Sequence, residues 1–151
     1  MTASLQTHPT STSHASFGTR VLAGVVGGLA GGVVFGALMA MMGMLPMIAS
    51  MVGSDSPFVG FGIHIVMSIM IGLGLTVLFG NWLLTSYLRG ALVGIAYGIA
   101  WWVLGPLLVM PMMFGMPPFG FDASTLPSLM GHMVYGAILG AVAVRFIAKR
   151  R

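Results

Sequence analysis

The sequence predicts an all-α integral membrane protein, a four-helix bundle made of two tandem, parallel-related helical hairpins. Three observations carry this. Hydrophobic residues make up 58% of the 151-residue chain and charged residues only 5%, whereas about a quarter of an ordinary soluble domain is charged. Four uncharged apolar runs are each long enough, at ~1.5 Å per helical residue, to cross a hydrocarbon core of about 30 Å. Within those runs glycine and other small residues return at every fourth position, which places them on one helix face.

The same composition excludes several classes. No stretch is polar enough to form a large soluble domain. The chain has no cysteine, so disulfides, thiolate metal ligands and cysteine nucleophiles are out. The net charge of +4 does not indicate a nucleic-acid partner, because the basic residues stand at helix ends and form no patch. The implied partners are the lipid bilayer and, beyond it, a second copy of the chain or a larger membrane complex.

Residues 1–17 are rich in Ser, Thr and His, contain no apolar run and read as a disordered cytoplasmic tail. A single four-span membrane domain over residues 18–151 follows. The first span, residues 21–44, carries Gly24, Gly28, Gly32, Gly36 and then Ala40, a small-residue face on which another helix packs closely. Residues 45–56 form a connector with Pro46, Gly53 and Asp55. Its Met44, Met47 and Met51 recur at helical spacing and suggest a short interfacial or re-entrant turn. Ser56 before Pro57 is a helix start, an N-cap with proline at the first helical position.

The second span, residues 57–79, bears the column His64, Ser68, Gly72, Thr76 and Gly80. Residues 80–89 read as a polar turn in which Trp82 and Tyr87 suit the lipid–water interface. The third span, residues 90–110, repeats the ladder with Gly90, Gly94 and Gly98, and Pro106 and Pro111 should kink or end it. A connector over residues 112–127 contains Asp122. Ser124 or Thr125 caps the fourth span, which carries Ser128, His132, Gly136 and Gly140 and ends in Arg145, Lys149, Arg150 and Arg151.

All six basic residues fall at one end of the spans and both acids, Asp55 and Asp122, at the other. The positive-inside rule then puts both termini in the cytoplasm. The chain also reads as a tandem repeat, residues 21–80 and 87–147. Gly28, Gly32 and Gly36 answer to Gly90, Gly94 and Gly98, and Asp55 and His64 to Asp122 and His132. Two hairpins of equal orientation are related by an axis along the membrane normal.

His64 and His132 lie at matching depth, roughly 8–11 Å from the outer helix ends. Ionisable groups inside a span are costly and face a bundle interior or a cavity. The candidate polar or ligand site is therefore His64, His132, Asp55, Asp122, Ser68 and Tyr135. Three roles fit the histidines: neutral packing groups that donate to a carbonyl, proton-responsive groups, or ligands of a transition metal or haem assisted by the thioethers of the connectors. No nucleophile–base order, paired-carboxylate site or phosphate-binding glycine loop is present, so the expectation is a non-enzymatic protein without a catalytic residue.

The stretches 92–96 (LVGIA), 111–118 (PMMFGMPP) and 131–135 (GHMVY), with 63–68 (IHIVMS) before them, resemble the YagU-like family of small bacterial inner-membrane proteins. The likeness covers spans two to four; the connector between spans one and two is shorter than the family's. It implies a multi-pass protein of the bacterial inner membrane associated with acid stress or the envelope, and it carries no catalytic residue over.

Overall fold

The structure is a computed structural model and describes residues 14–148. The described residues are helical, with no strand among them. Four helices are long and apolar enough to cross a membrane: α1 (Phe17–Met41), α3 (Pro57–Leu83), α4 (Tyr87–Met113) and α5 (Thr125–Ile147). A short helix, α2 (Leu45–Ser50), lies between the first two. The chain is thus an all-α, multi-pass membrane protein.

Each helix begins where local chemistry favours it. Ser16 caps α1, its side chain accepting from the Thr19 N–H, and Ser86 caps α4 by accepting from the Arg89 N–H. These bonds satisfy amides that lack an intrahelical partner. Pro57 opens α3 as expected, but the Ser56 side chain makes no cap bond. Gly43, with φ of 68°, turns the chain from α1 into α2, a conformation that glycine adopts without steric cost.

Several boundaries differ from the sequence expectation. Ala15 is buried and donates its N–H to Asn81 Oδ1, so residues 14–17 belong to the folded part. Residues 1–13 of the expected tail, and the basic Lys149, Arg150 and Arg151, lie outside the described residues. The second span continues through the supposed polar turn to Leu83. It does so by widening into a π-helical segment at Gly74–Leu78, where Arg20 Nη1 reaches across from α1 to the Val77 carbonyl at 2.6 Å.

The third span likewise passes both prolines and ends at Met113. Pro106 sits inside a second π-helical segment, Val103–Val109. A proline removes one N–H and crowds the preceding turn; a wider turn absorbs both faults without ending the helix. Pro111 cannot donate to the Leu107 carbonyl one turn earlier. That carbonyl accepts instead from the Phe119 N–H at 2.7 Å, which ties the second connector down onto α4.

Packing follows the glycines. α1 packs against both α3 and α5, and α5 packs against both α1 and α4. The face of α1 formed by Gly24, Gly28, Gly32 and Gly36 meets α3 at Thr76, Ser68, Phe61 and His64. A second face, Gly27 and Gly31, meets Leu139 and Tyr135 of α5. On the other side Gly90, Gly94 and Gly98 lie against Gly140, Gly136 and the His132 backbone. A Cβ on Gly94 would fall inside the van der Waals shell of the Gly136 carbonyl. The ladders therefore join helices of this chain to one another.

α3 and α4 are joined by a short turn but are not a closely packed pair. Their order across the bundle is α3, α1, α5, α4, and a gap is left between the two end members. Tyr97 of α4 crosses it, donating from Oη to the Ile71 carbonyl at 3.0 Å.

Candidate functional site

The gap between α3 and α4 holds a cavity of about 390 Å³ toward the end of the bundle that carries the two connectors. α2 and the second connector contribute to its lining, as do Phe35 of α1 and Tyr135 of α5. Of the residues singled out in the sequence, His64, Ser68, Asp122, His132 and Tyr135 line this one cavity and Asp55 does not. Asp55 is exposed on the first connector.

His64 is buried on the side of α3 that faces the glycine ladder. Without side chains at Gly32 and Gly36, the imidazole comes close enough to α1 for Nε2 to lie 3.1 Å from the Gly32 carbonyl. A carbonyl oxygen only accepts, so Nε2 carries the proton and donates. Ser68 Oγ, at 3.5 Å from the same nitrogen, is at the limit of a hydrogen bond. His132 solves the same problem within its own helix: Nδ1 donates to the Ser128 carbonyl at 2.8 Å.

Both imidazoles abut the Phe35 ring in edge-to-face geometry, with centroids 5.1 Å away for His64 and 4.8 Å for His132. Phe35 on α1 is thus a common neighbour of both histidines. In each neutral ring the second nitrogen, His64 Nδ1 and His132 Nε2, then holds a lone pair and acts as an acceptor. The Trp102 Nε1–H, also on the cavity lining, is buried and has no partner among the described residues.

Tyr135 is pressed against Gly31 and donates from Oη to the Ser68 carbonyl at 2.6 Å. With Tyr97 it gives α3 two phenolic clamps, one from each of the other hairpin's helices. Asp122 stands at the start of α5. It accepts from the Ser124 N–H at 2.8 Å, from Ser124 Oγ at 2.6 Å and from Thr125 Oγ1 at 3.2 Å. These bonds fix the turn that leads into α5, whereas the Ser124 side chain, expected as a cap, makes no cap bond to the helix. The Ser124 hydroxyl, followed by the Ser124 amide, holds the carboxyl below its ordinary pKa, since hydrogen bonds to the ionised form favour it.

Among the described residues no group of three or more His, Asp or Glu is placed to hold a metal ion. A cofactor here would rest on two imidazoles and on the thioethers of the lining, Met39, Met44 and Met47 among them. Sequence reasoning missed Phe35, Trp102 and the proline-borne π segment as parts of the site. An aromatic residue next to a glycine of the first ladder was the available signal for Phe35.

Comparison with protein-family models, with curated proteins and with solved structures finds no match to this chain.

Proposed function

We propose that this membrane protein is a non-enzymatic binding protein of the bacterial inner membrane, with both termini cytoplasmic and the cavity in its outer half. The cavity takes an apolar ligand from the bilayer, and His64 and His132 recognise its polar end. The YagU-like resemblance adds the setting, acid stress or the envelope. The observation that carries the reading is the methionine- and aromatic-lined cavity of about 390 Å³ between two helices that do not close on each other. Ligand sites are typically concave, mostly apolar and roughly 300–1,000 Å³, with a few convergent polar groups. A flanking gap lets an occupant enter sideways from lipid.

The test uses a neutral lipophilic dye, N-phenyl-1-naphthylamine, titrated into the purified protein in nanodiscs. Saturable fluorescence enhancement is expected. Gly105 lines the cavity, and a Cβ there has open space around it. Gly105→Phe should therefore fill the site and abolish the saturable signal while the helical circular dichroism stays unchanged. Equal saturable binding by the filled variant would overturn the reading.

A second reading, a small metal- or haem-binding subunit, is favoured by one observation: two imidazoles with a free lone pair each reach the same thioether-lined space. Stoichiometric metal or a Soret band in the purified protein, lost in both His64→Ala and His132→Ala, would place it ahead of the first.

A further inference from the structure

The cavity described above is one-sided in its electrostatics. Among the described residues Asp122 is the only charged side chain in the lining, and no lysine or arginine joins it. Deeper in, His64 and His132 have both committed their N–H groups to backbone carbonyls, Gly32 and Ser128. The nitrogens left over, His64 Nδ1 and His132 Nε2, keep lone pairs and can only accept. The remaining walls include the rings of Phe35, Trp101, Trp102, Phe114 and Tyr135, whose faces carry the negative end of a quadrupole.

An anionic head group would meet a carboxylate and two acceptors, with the Trp102 Nε1–H to donate to it but no cation to pair it. A neutral hydroxyl would satisfy one imidazole but gain nothing from the charge of the exposed Asp122 carboxylate. A protonated amine answers all three features. Its N–H groups donate to the imidazoles, its charge is attracted by Asp122, and its flanks lie against aromatic rings.

We infer that the occupant is a lipophilic amine, an ammonium head on a single apolar chain or ring system. This rests on the binding reading given above and names the ligand class for the same cavity. It fits the route of entry as well. An amine exchanges between its neutral form, which crosses lipid between α3 and α4, and its charged form, which the polar end of the cavity retains.

The experiment is competition for bound N-phenyl-1-naphthylamine by three amphiphiles of equal chain length: dodecylamine, dodecanol and dodecanoate. Dodecylamine should displace the dye at about a tenth of the dodecanol concentration, a difference within reach of one charge pair with aromatic support. Dodecanoate should be the weakest of the three.

Asp122→Asn should bring amine and alcohol to within about threefold of each other, because only the charge pair is removed. Asparagine caps helices as well as aspartate does, so α5 keeps its start, and the comparison is read as the amine-to-alcohol ratio within the variant. Asp55→Asn removes the same charge from the same end of the molecule but outside the cavity, and it should leave the preference intact. A dye displaced equally by all three amphiphiles, or an amine preference that survives Asp122→Asn or is lost in Asp55→Asn, overturns the amine assignment while the binding reading stands. A dye that never binds saturably overturns both.

Discussion

At the scale of the residue, the informative feature is where each polar proton goes. His64, His132, Tyr97 and Tyr135 all donate to backbone carbonyls, and three of those carbonyls belong to another helix. That two histidines sit inside spans was legible in the sequence. Their partners were not, because an acceptor such as the Gly32 carbonyl carries no side-chain signature. Removing the Tyr135 hydroxyl takes away one buried bond of 2.6 Å. Tyr135→Phe should cost about 1 kcal/mol, read as a lowered midpoint in denaturant titration of the detergent-solubilised protein; an unchanged midpoint would show that the bond contributes nothing net. Asp122 acts on the backbone instead. Asp122→Ala should raise amide hydrogen exchange at Ser124, Thr125 and Leu126 and leave the centre of α5 alone. Since hydrogen bonding depresses the Asp122 pKa, the wild-type protection should be fully present at neutral pH and through the ordinary aspartate range. It should be lost only as pH falls through the depressed value below that range. Exchange that rises already near neutral pH would contradict the assignment.

Elements are held together by glycine at the contact and interrupted by proline near the cavity. The four-residue ladders were read from the sequence alone, yet only the structure shows which partner each one meets. α1 carries two such faces, 24/28/32/36 toward α3 and 27/31 toward α5, and periodicity alone assigns neither. Pro106 interrupts its helix rather than ending it, for a definite reason. A rule that proline ends a helix assumes α-helical spacing, and the π-helical turn around Pro106 escapes it. The glycines also make a matched comparison available. A Cβ at Gly94 would meet the Gly136 carbonyl, whereas one at Gly62 meets nothing within 4 Å. Gly94→Ala should destabilise the bundle by roughly 1–3 kcal/mol through overpacking. Gly62→Ala should be neutral or stabilise by up to about 1 kcal/mol, because alanine restricts the unfolded chain. Thermal unfolding of the two variants side by side in one detergent checks both, and equal effects would mean the ladder is not a tight contact.

For the whole molecule, composition and run length were enough to give four crossing helices and an all-α class. What they could not give is that α3 and α4, neighbours in sequence, stand apart while α1 and α5 form the centre. That arrangement depends on which small faces find each other, a property of pairs of helices. The proposed orientation has a direct consequence for labelling. The chain lacks cysteine, so single substitutions report without background. In intact cells a membrane-impermeant maleimide should label Asp55→Cys and Asp122→Cys and spare Arg89→Cys until the membrane is opened. The reverse pattern would invert the topology and move the cavity to the cytoplasmic side.

The tie between the Leu107 carbonyl and the Phe119 amide joins main chain to main chain, across a proline that makes the carbonyl available. Any residue that tolerates the φ of 59° at position 119 can supply the same amide. The side chains of this segment are therefore free to drift over evolutionary time without loosening the segment from α4. Changes of taste at the cavity and constancy of its cover are separable, and a lineage can alter the one while inheriting the other.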